Sequence, residues 1–246
     1  MNPIQTLLQK NKEPLVMGVL NITPDSFSDG GKFNNLSRAL QHAEMMINNG
    51  VNIIDIGAES TRPGAKETPI DLERERIEPV IKAIKKDFNI PVSIDTYKPE
   101  IMELGIDLGV EMVNDIYALR QPRCLDTVLN SDIMICLMHM KGSPQDMQLN
   151  PSYKDVALEV GQFLQDRIII CEKFGIDKSR IILDPGFGFG KTYENNLKLF
   201  QSIDKLNSIS KPLLIGVSRK SMVRKIVGDG ENDIIYGSAI MAAISV

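Results

Sequence analysis

Short runs of β-branched and apolar residues alternate along the chain with longer stretches whose apolar positions recur at helical spacing. Strand-like runs fall at 16–22, 52–58, 91–96, 111–117, 133–140, 180–185 and 212–218. Between them the pattern predicts helices over 37–49, 71–87, 99–108, 122–130, 154–174, 194–203 and from 234 onward. In the first of these, Leu36, Leu40, Ala43, Met46 and Ile47 share a face, Ser37 can cap the start and Gly50 can end it. Near-continuous apolar strands joined by amphipathic helices predict an α/β fold, a parallel sheet covered by helices and either closed as a (β/α)8 TIM barrel or open and doubly wound. The strand ends favour the barrel. Asn21, Asp55, Asp95, Asn114 with Asp115, Asp184 and Ser218-Arg219-Lys220 stand where strands run out, and a barrel gathers such ends on one rim while an open sheet spreads them. Strand starts recur about every 33 residues, so an eighth strand falls due near or just beyond Val246. The expectation is one barrel domain over residues 1–246 that stops short of its last strand.

Composition narrows the class. Of 246 residues, 43% are hydrophobic and 24% charged, which excludes disordered, collagenous and coiled-coil chains. The net charge of -4, with no basic block, argues against nucleic acid or an anionic membrane as the main partner and leaves a small-molecule site. Cys124, Cys136 and Cys171 form no Cys-x-x-Cys pair, and with His42 and His139 as the two histidines a histidine/thiolate metal cage is not expected. The start lacks a signal-peptide pattern and no apolar run approaches the ~18 residues of a membrane span, so a cytoplasmic location is expected.

Two polar loops carry candidate chemistry. Residues 21–31 leave the first strand rich in hydrogen-bonding groups, Asp25 among them, and end in glycines, as suits a lid over a rim site. After the second strand, Thr61 and Arg62 set a guanidinium beside hydroxyls, able to hold carboxylate or phosphate. The acceptors Asp55, Asp95, Asn114 and Asp184 on separate strands suit a neutral heterocycle with a guanidine-like edge. Lys220, unfavourable near a helix start unless something anionic meets it, offers the opposite charge. Residues 184–192 imitate a phosphate-binding loop ending in Gly-Lys-Thr, but Pro185 stands where the first glycine is required, and Phe187 and Phe189 better suit a wall for a flat ligand. His139 reads as a hydrogen-bonded core residue, and Met138 can pack on a ring.

The segments 21–31, 59–64, 93–96, 114–115, 137–140, 183–190 and 216–221 together resemble the dihydropteroate synthase family of folate biosynthesis, in the right order over nearly the whole chain. That resemblance implies a pterin-binding (β/α)8 barrel, usually homodimeric, that joins 4-aminobenzoate to 6-hydroxymethyl-7,8-dihydropterin diphosphate with Mg²⁺ and releases pyrophosphate. It implies that Asp95, Asn114, Asp184 and Lys220 hold the pterin, with Met138 and Gly216 beside them and Asp55 near the diphosphate-bearing end. By the same resemblance, Asn21 meets Mg²⁺ and diphosphate, and Thr61, Arg62, Phe189, Ser218 and Lys220 line the aminobenzoate site, where sulfonamides compete. Asp95, Lys220, Asp25 and Arg62 are the candidates for the chemistry itself. The family's last strand ends in Arg-x-His-Asp, which does not occur in these residues. A catalytically silent pterin-binding paralogue or fragment is therefore the alternative expectation, and a pterin-binding methyltransferase barrel fits less well because of the two loops.

Overall fold

A computed structural model describes residues 1–11, 13–23, 32–62 and 64–246, without the side chains of 32–34. Six parallel strands, β1 (Met17–Asn21), β2 (Ile53–Gly57), β3 (Val92–Asp95), β4 (Met112–Asp115), β5 (Met134–Met138) and β6 (Ile181–Asp184), lie side by side in chain order. The helices are α1 (Pro3–Lys10), α2 (Lys32–Asn48), α3 (Ile70–Asp87), α4 (Pro99–Asp107), α5 (Cys124–Leu129), α6 (Val156–Phe174), α7 (Tyr193–Gln201), α8 (Ser221–Val227) and α9 (Glu231–Ile244). Consecutive parallel order with a helix in each crossover is the α/β barrel arrangement the pattern predicts.

The seventh expected strand is reduced to a bridge. Leu213 pairs with Leu183 through Leu183 N–H to Pro212 O (3.0 Å) and Leu214 N–H to Leu183 O (2.8 Å). Proline brings no N–H to a ladder, and among the described residues no strand pairs on the other side of this segment. Helix α2 starts five residues ahead of Ser37, because residues 32–36 hold neither glycine nor proline, and Ser37 lies exposed inside it. Helix α1 was not expected at all. Asn2 caps it by accepting from Ile4 N–H (2.9 Å), and Pro3 opens its first turn.

Side-chain alternation along the strands builds two layers. Ile54, Ile56, Val92, Ile94, Val113, Ile135, Leu137, Ile181 and Leu183 face outward into the main core under the helices. The opposite face begins apolar, with Ile53, Met112, Met134, Cys136 and Ile182 packed against Ile4 of α1. Further along the same face come Asp55, Asp95, Asn114, Met138 and Asp184. Helix α1 thus plugs the N-terminal end of the strands, and Asn2 Nδ2 fastens it by donating to Glu111 O (2.8 Å) and Asp132 O (3.1 Å). The polar groups are left at the C-terminal end.

Candidate active site

The period of two explains why these polar residues meet. Gly57 and Asn114 are the register partners of Asp95 on its two neighbouring strands, and Met138 is the partner of Asp184. A Cβ on Gly57 would come within 3.3 Å of Asp95 Cβ and Oδ2, so the missing side chain makes room for the carboxyl. Asp55 lies buried one layer below, and Asn114 Nδ2 donates to its Oδ2 (3.0 Å). Asp184 is buried and its Oδ1 accepts from Gly186 N–H (2.7 Å). Burial above all raises the pKa of Asp55, with repulsion from Asp184 adding to it; burial and repulsion from Asp55 hold that of Asp95 well above the carboxylate range; and burial alone raises that of Asp184 against the pull of Lys220. Such a floor resists accumulating negative charge and gains from a ligand rich in donors or carrying positive charge.

Met138 forms an apolar cluster with Ile116, Met140 and Met147, against which Phe189, Tyr97 and Tyr117 pack. Phe187 does not share that wall: it is fully buried and meets Phe200 edge-on at 5.9 Å. Lys220 stands at the N-cap of α8, 5.0 Å over the Phe189 ring, with its ammonium donating to Phe187 O. Burial lowers its pKa and Asp184 opposes the shift. A Cβ on Gly188 would lie 3.3 Å from Lys220 Cδ, and one on Gly216 would lie 3.5 Å from its Nζ, so both glycines border the lysine's path. Ser218 is exposed, in a turn that Ser238 of α9 holds by accepting from Arg219 N–H (2.9 Å).

Thr61 is half-buried and Arg62 exposed on the loop between β2 and α3, where Gly64 N–H donates to Pro144 O (3.2 Å). Asn21 ends β1, exposed, and Asp25 lies outside the described residues. The Gly-Lys-Thr imitation is resolved by Lys191, which is buried and donates to Gly186 O (2.7 Å) and Phe189 O (3.1 Å), with His139 Nδ1 at 2.9 Å. Carbonyls converge on this lysine, while Gly186 and Gly188 spend their N–H groups on Asp184 and Asn196. No phosphate cradle is left there. Gly186 has φ +69, and a Cβ on it would lie 1.9 Å from His139 O, so glycine alone fits. Burial and then Lys191 depress the His139 pKa to about 2, which keeps the imidazole neutral and structural.

Sequence reasoning missed a second buried polar group. Lys98 joins Glu59, at the start of the loop of Arg62, to Glu73, and the two carboxylates accept in turn from Tyr97 and Thr96. The signal was available, since Lys98 directly precedes the first turn of α4, where a cation is unfavourable without an anionic partner.

Among the described residues no cluster of three or more His, Cys, Asp or Glu side chains is placed to hold a metal. The rim offers a divalent ion an isolated oxygen donor, such as Asn21, which suits Mg²⁺ when substrate phosphates and water complete its shell.

Residues 17–246 match the model of the family described as pterin binding enzyme. A dihydropteroate synthase of Escherichia coli strain K12 is 44% identical over 232 residues, covering 94% of this chain and 82% of the relative. Among solved structures, the Xanthomonas albilineans dihydropteroate synthase with 4-aminobenzoic acid superposes with a TM-score of 0.89 at 40% identity, covering 95% of this chain and 84% of that one. The Yersinia pestis dihydropteroate synthase in a sulfonamide drug complex gives 0.88 at 42% identity, covering 94% and 84%.

Proposed function

The chain belongs to the pterin-binding enzyme family, and from that premise we propose how its own residues divide the work of a dihydropteroate synthase. It is a transferase of folate synthesis that joins 4-aminobenzoate to 6-hydroxymethyl-7,8-dihydropterin diphosphate, giving 7,8-dihydropteroate and pyrophosphate. What carries the assignment of the pocket is the convergence of Asp95, Asn114 and Asp184 from three strands beside the Met138 and Phe189 wall. The pyrimidine edge of a pterin presents adjacent N–H donors to those acceptors, its flat ring suits the wall, and Lys220 supplies donors for its carbonyl and ring nitrogen. Asp55 acts through Asn114, fixing which way the amide faces.

In the reaction the methylene carbon–oxygen bond to diphosphate breaks, a carbon–nitrogen bond to the amine forms, and the amine loses a proton. An aromatic amine is a weak nucleophile, so the burden falls on the departing group and on positive charge developing at the methylene carbon and the dihydropterin. Asp95, whose carboxyl is crowded by Asp55, gains stabilisation as that charge grows and returns it electrostatically. Asn21, at the end of β1, would help hold Mg²⁺, which when bound would supply neutralisation of the charge on the leaving diphosphate. Thr61 and Arg62 orient the carboxylate of aminobenzoate, with Phe189, Ser218 and Lys220 on its other side. The expected order of binding is pterin diphosphate first and aminobenzoate second.

Two further properties belong to the proposal. Burial of Cys124, Cys136 and Cys171 as free thiols agrees with a cytoplasmic location, and no helix among the described residues is long and apolar enough to cross a membrane. The exposed apolar residues Leu158, Ile169 and Ile170 on α6 support a homodimer, to be read by sedimentation equilibrium.

The test is pyrophosphate release from pterin diphosphate with Mg²⁺, with and without 4-aminobenzoate. Release that depends on aminobenzoate is the expected result; no release, with equal affinity for pterin and pterin diphosphate, would favour a binding-only protein.

A further inference from the structure

We propose that Lys98 is a positioning residue that clasps the two ends of the loop carrying Thr61 and Arg62 and so sets the aminobenzoate half of the site. The proposal rests on the reading that this loop lines that half. Lys98 Nζ donates to Glu59 Oε2, at the loop's start, and to Thr68 O, at its end. Its third hydrogen goes to Glu73 Oε2 of α3 (2.7 Å). An ammonium has three N–H donors, so the clasp is saturated. Each carboxylate is fixed in turn: Tyr97 OH donates to Glu59 Oε1 (2.8 Å) and Thr96 Oγ1 to Glu73 Oε1 (2.9 Å). Both lysine and Glu73 are buried, which makes the geometry costly to leave.

Among the described residues few other bonds hold the loop, one being Arg76 Nη1 donating to Ala58 O (3.1 Å) near its start. Beside it lies an open cleft of about 510 Å³ lined by Glu59, Ala65, Glu67, Tyr97, Lys98 and Pro144 among others. Glu59, Ser60, Ala65 and Glu67 of the loop thus border an open cleft, and the loop's tip is tethered by Gly64 N–H to Pro144 O. Where packing does not place a loop, its closed ends do. Burial works against the Lys98 charge, but its hydrogen bonds to Glu59 and Glu73 hold its pKa above the ordinary lysine value, so the lysine is ionised at neutral pH.

The experiment compares the unaltered chain with Lys98→Met, Lys98→Arg and the double variant Lys98→Met/Glu73→Gln. The single methionine strands the carboxylates of Glu59 and Glu73 and can fail to fold; the double variant removes the lysine charge together with Glu73, the more buried of the two, at nearly constant volume. In the double variant the KM for 4-aminobenzoate is expected to rise about tenfold, with the KM for pterin diphosphate within about twofold. Amide hydrogen exchange at residues 60–67 is expected to quicken about tenfold while the strands keep their protection, and Lys98→Arg is expected to recover most of both effects. Unchanged exchange at 60–67, an unmoved aminobenzoate KM, or an equal rise in both KM values overturns the clasp. Arg62→Ala separates the two levels: an aminobenzoate KM unmoved by that variant sinks the reading of the loop itself, whereas a rise there with no effect in the double variant sinks only the role of Lys98.

Discussion

Asp184 is held by a glycine N–H on one oxygen and by burial on all sides, so its removal has few ways to be compensated. Asp184→Ala leaves the donors of a bound pterin unpaired and is expected to weaken pterin binding by about 1 to 3 kcal/mol, roughly five- to 150-fold in Kd. Titration calorimetry with the pterin alone reads this, and an unchanged Kd would remove Asp184 from the pocket. His139 makes a prediction of the opposite kind. Its native pKa of about 2 lies below the unfolded value near 6.5, so the unfolded chain takes up a proton that the native one refuses. Above pH 6.5 the residue is neutral in both states. Below it, this group alone lowers stability by up to about 1.4 kcal/mol per pH unit. Urea unfolding from pH 7 to 5 should show a shallower acid slope in His139→Gln, and identical slopes would mean the imidazole is protonated in the native state. The strand-end carboxyls were legible at this scale because a polar residue after an apolar run announces itself. Glu73 was not, since it reads in sequence as an ordinary charge on a helix, and Lys98 announced itself only as a cation before a helix start.

Elements were legible where their period is long and were misjudged at their ends. The strands and the long α3 and α6 follow from spacing alone, and Asp155 and Gly175 cap α6 at its two ends. Helix α5 shrinks to six residues, too few to persist by its own hydrogen bonds. Arg180, just before β6, holds its end: Nη2 donates to Val128 O (2.6 Å) and Nε to Ile133 O (2.9 Å). Arg180→Ala is expected to cost about 2 to 3 kcal/mol, read as a lowered urea midpoint, because two buried carbonyls lose charged donors. A change within about 0.5 kcal/mol, the usual range at the surface, would show that water replaces them. Phe187 and Phe189, two residues apart, looked interchangeable as a ligand wall. The turn at Gly186 and Gly188 sends the first to the core and the second to the rim.

For the whole molecule, ligand and fold are linked. If the pocket exists only in the native state, pterin diphosphate at 100 times its Kd should add about 2.7 kcal/mol. At roughly 2 to 4 °C per kcal/mol for a chain of this size, the melting temperature should rise by about 5 to 11 °C. Differential scanning calorimetry checks this, and Asp184→Ala should lose most of the shift; the same shift in both proteins would place binding elsewhere.

The sequence by itself determined the alternation of strand and helix, the parallel sheet and the polar strand ends, because hydrophobic period and strand-end chemistry are local properties of the chain. The motifs at those ends also identified the family. Only the tertiary structure decided which charges meet. Lys98 finds Glu59 39 positions away and Glu73 25 away, and Lys191 finds His139 52 away. Those pairings depend on the register of neighbouring strands and on the path of loops, and burial there turns ordinary surface charges into fixed parts of a site.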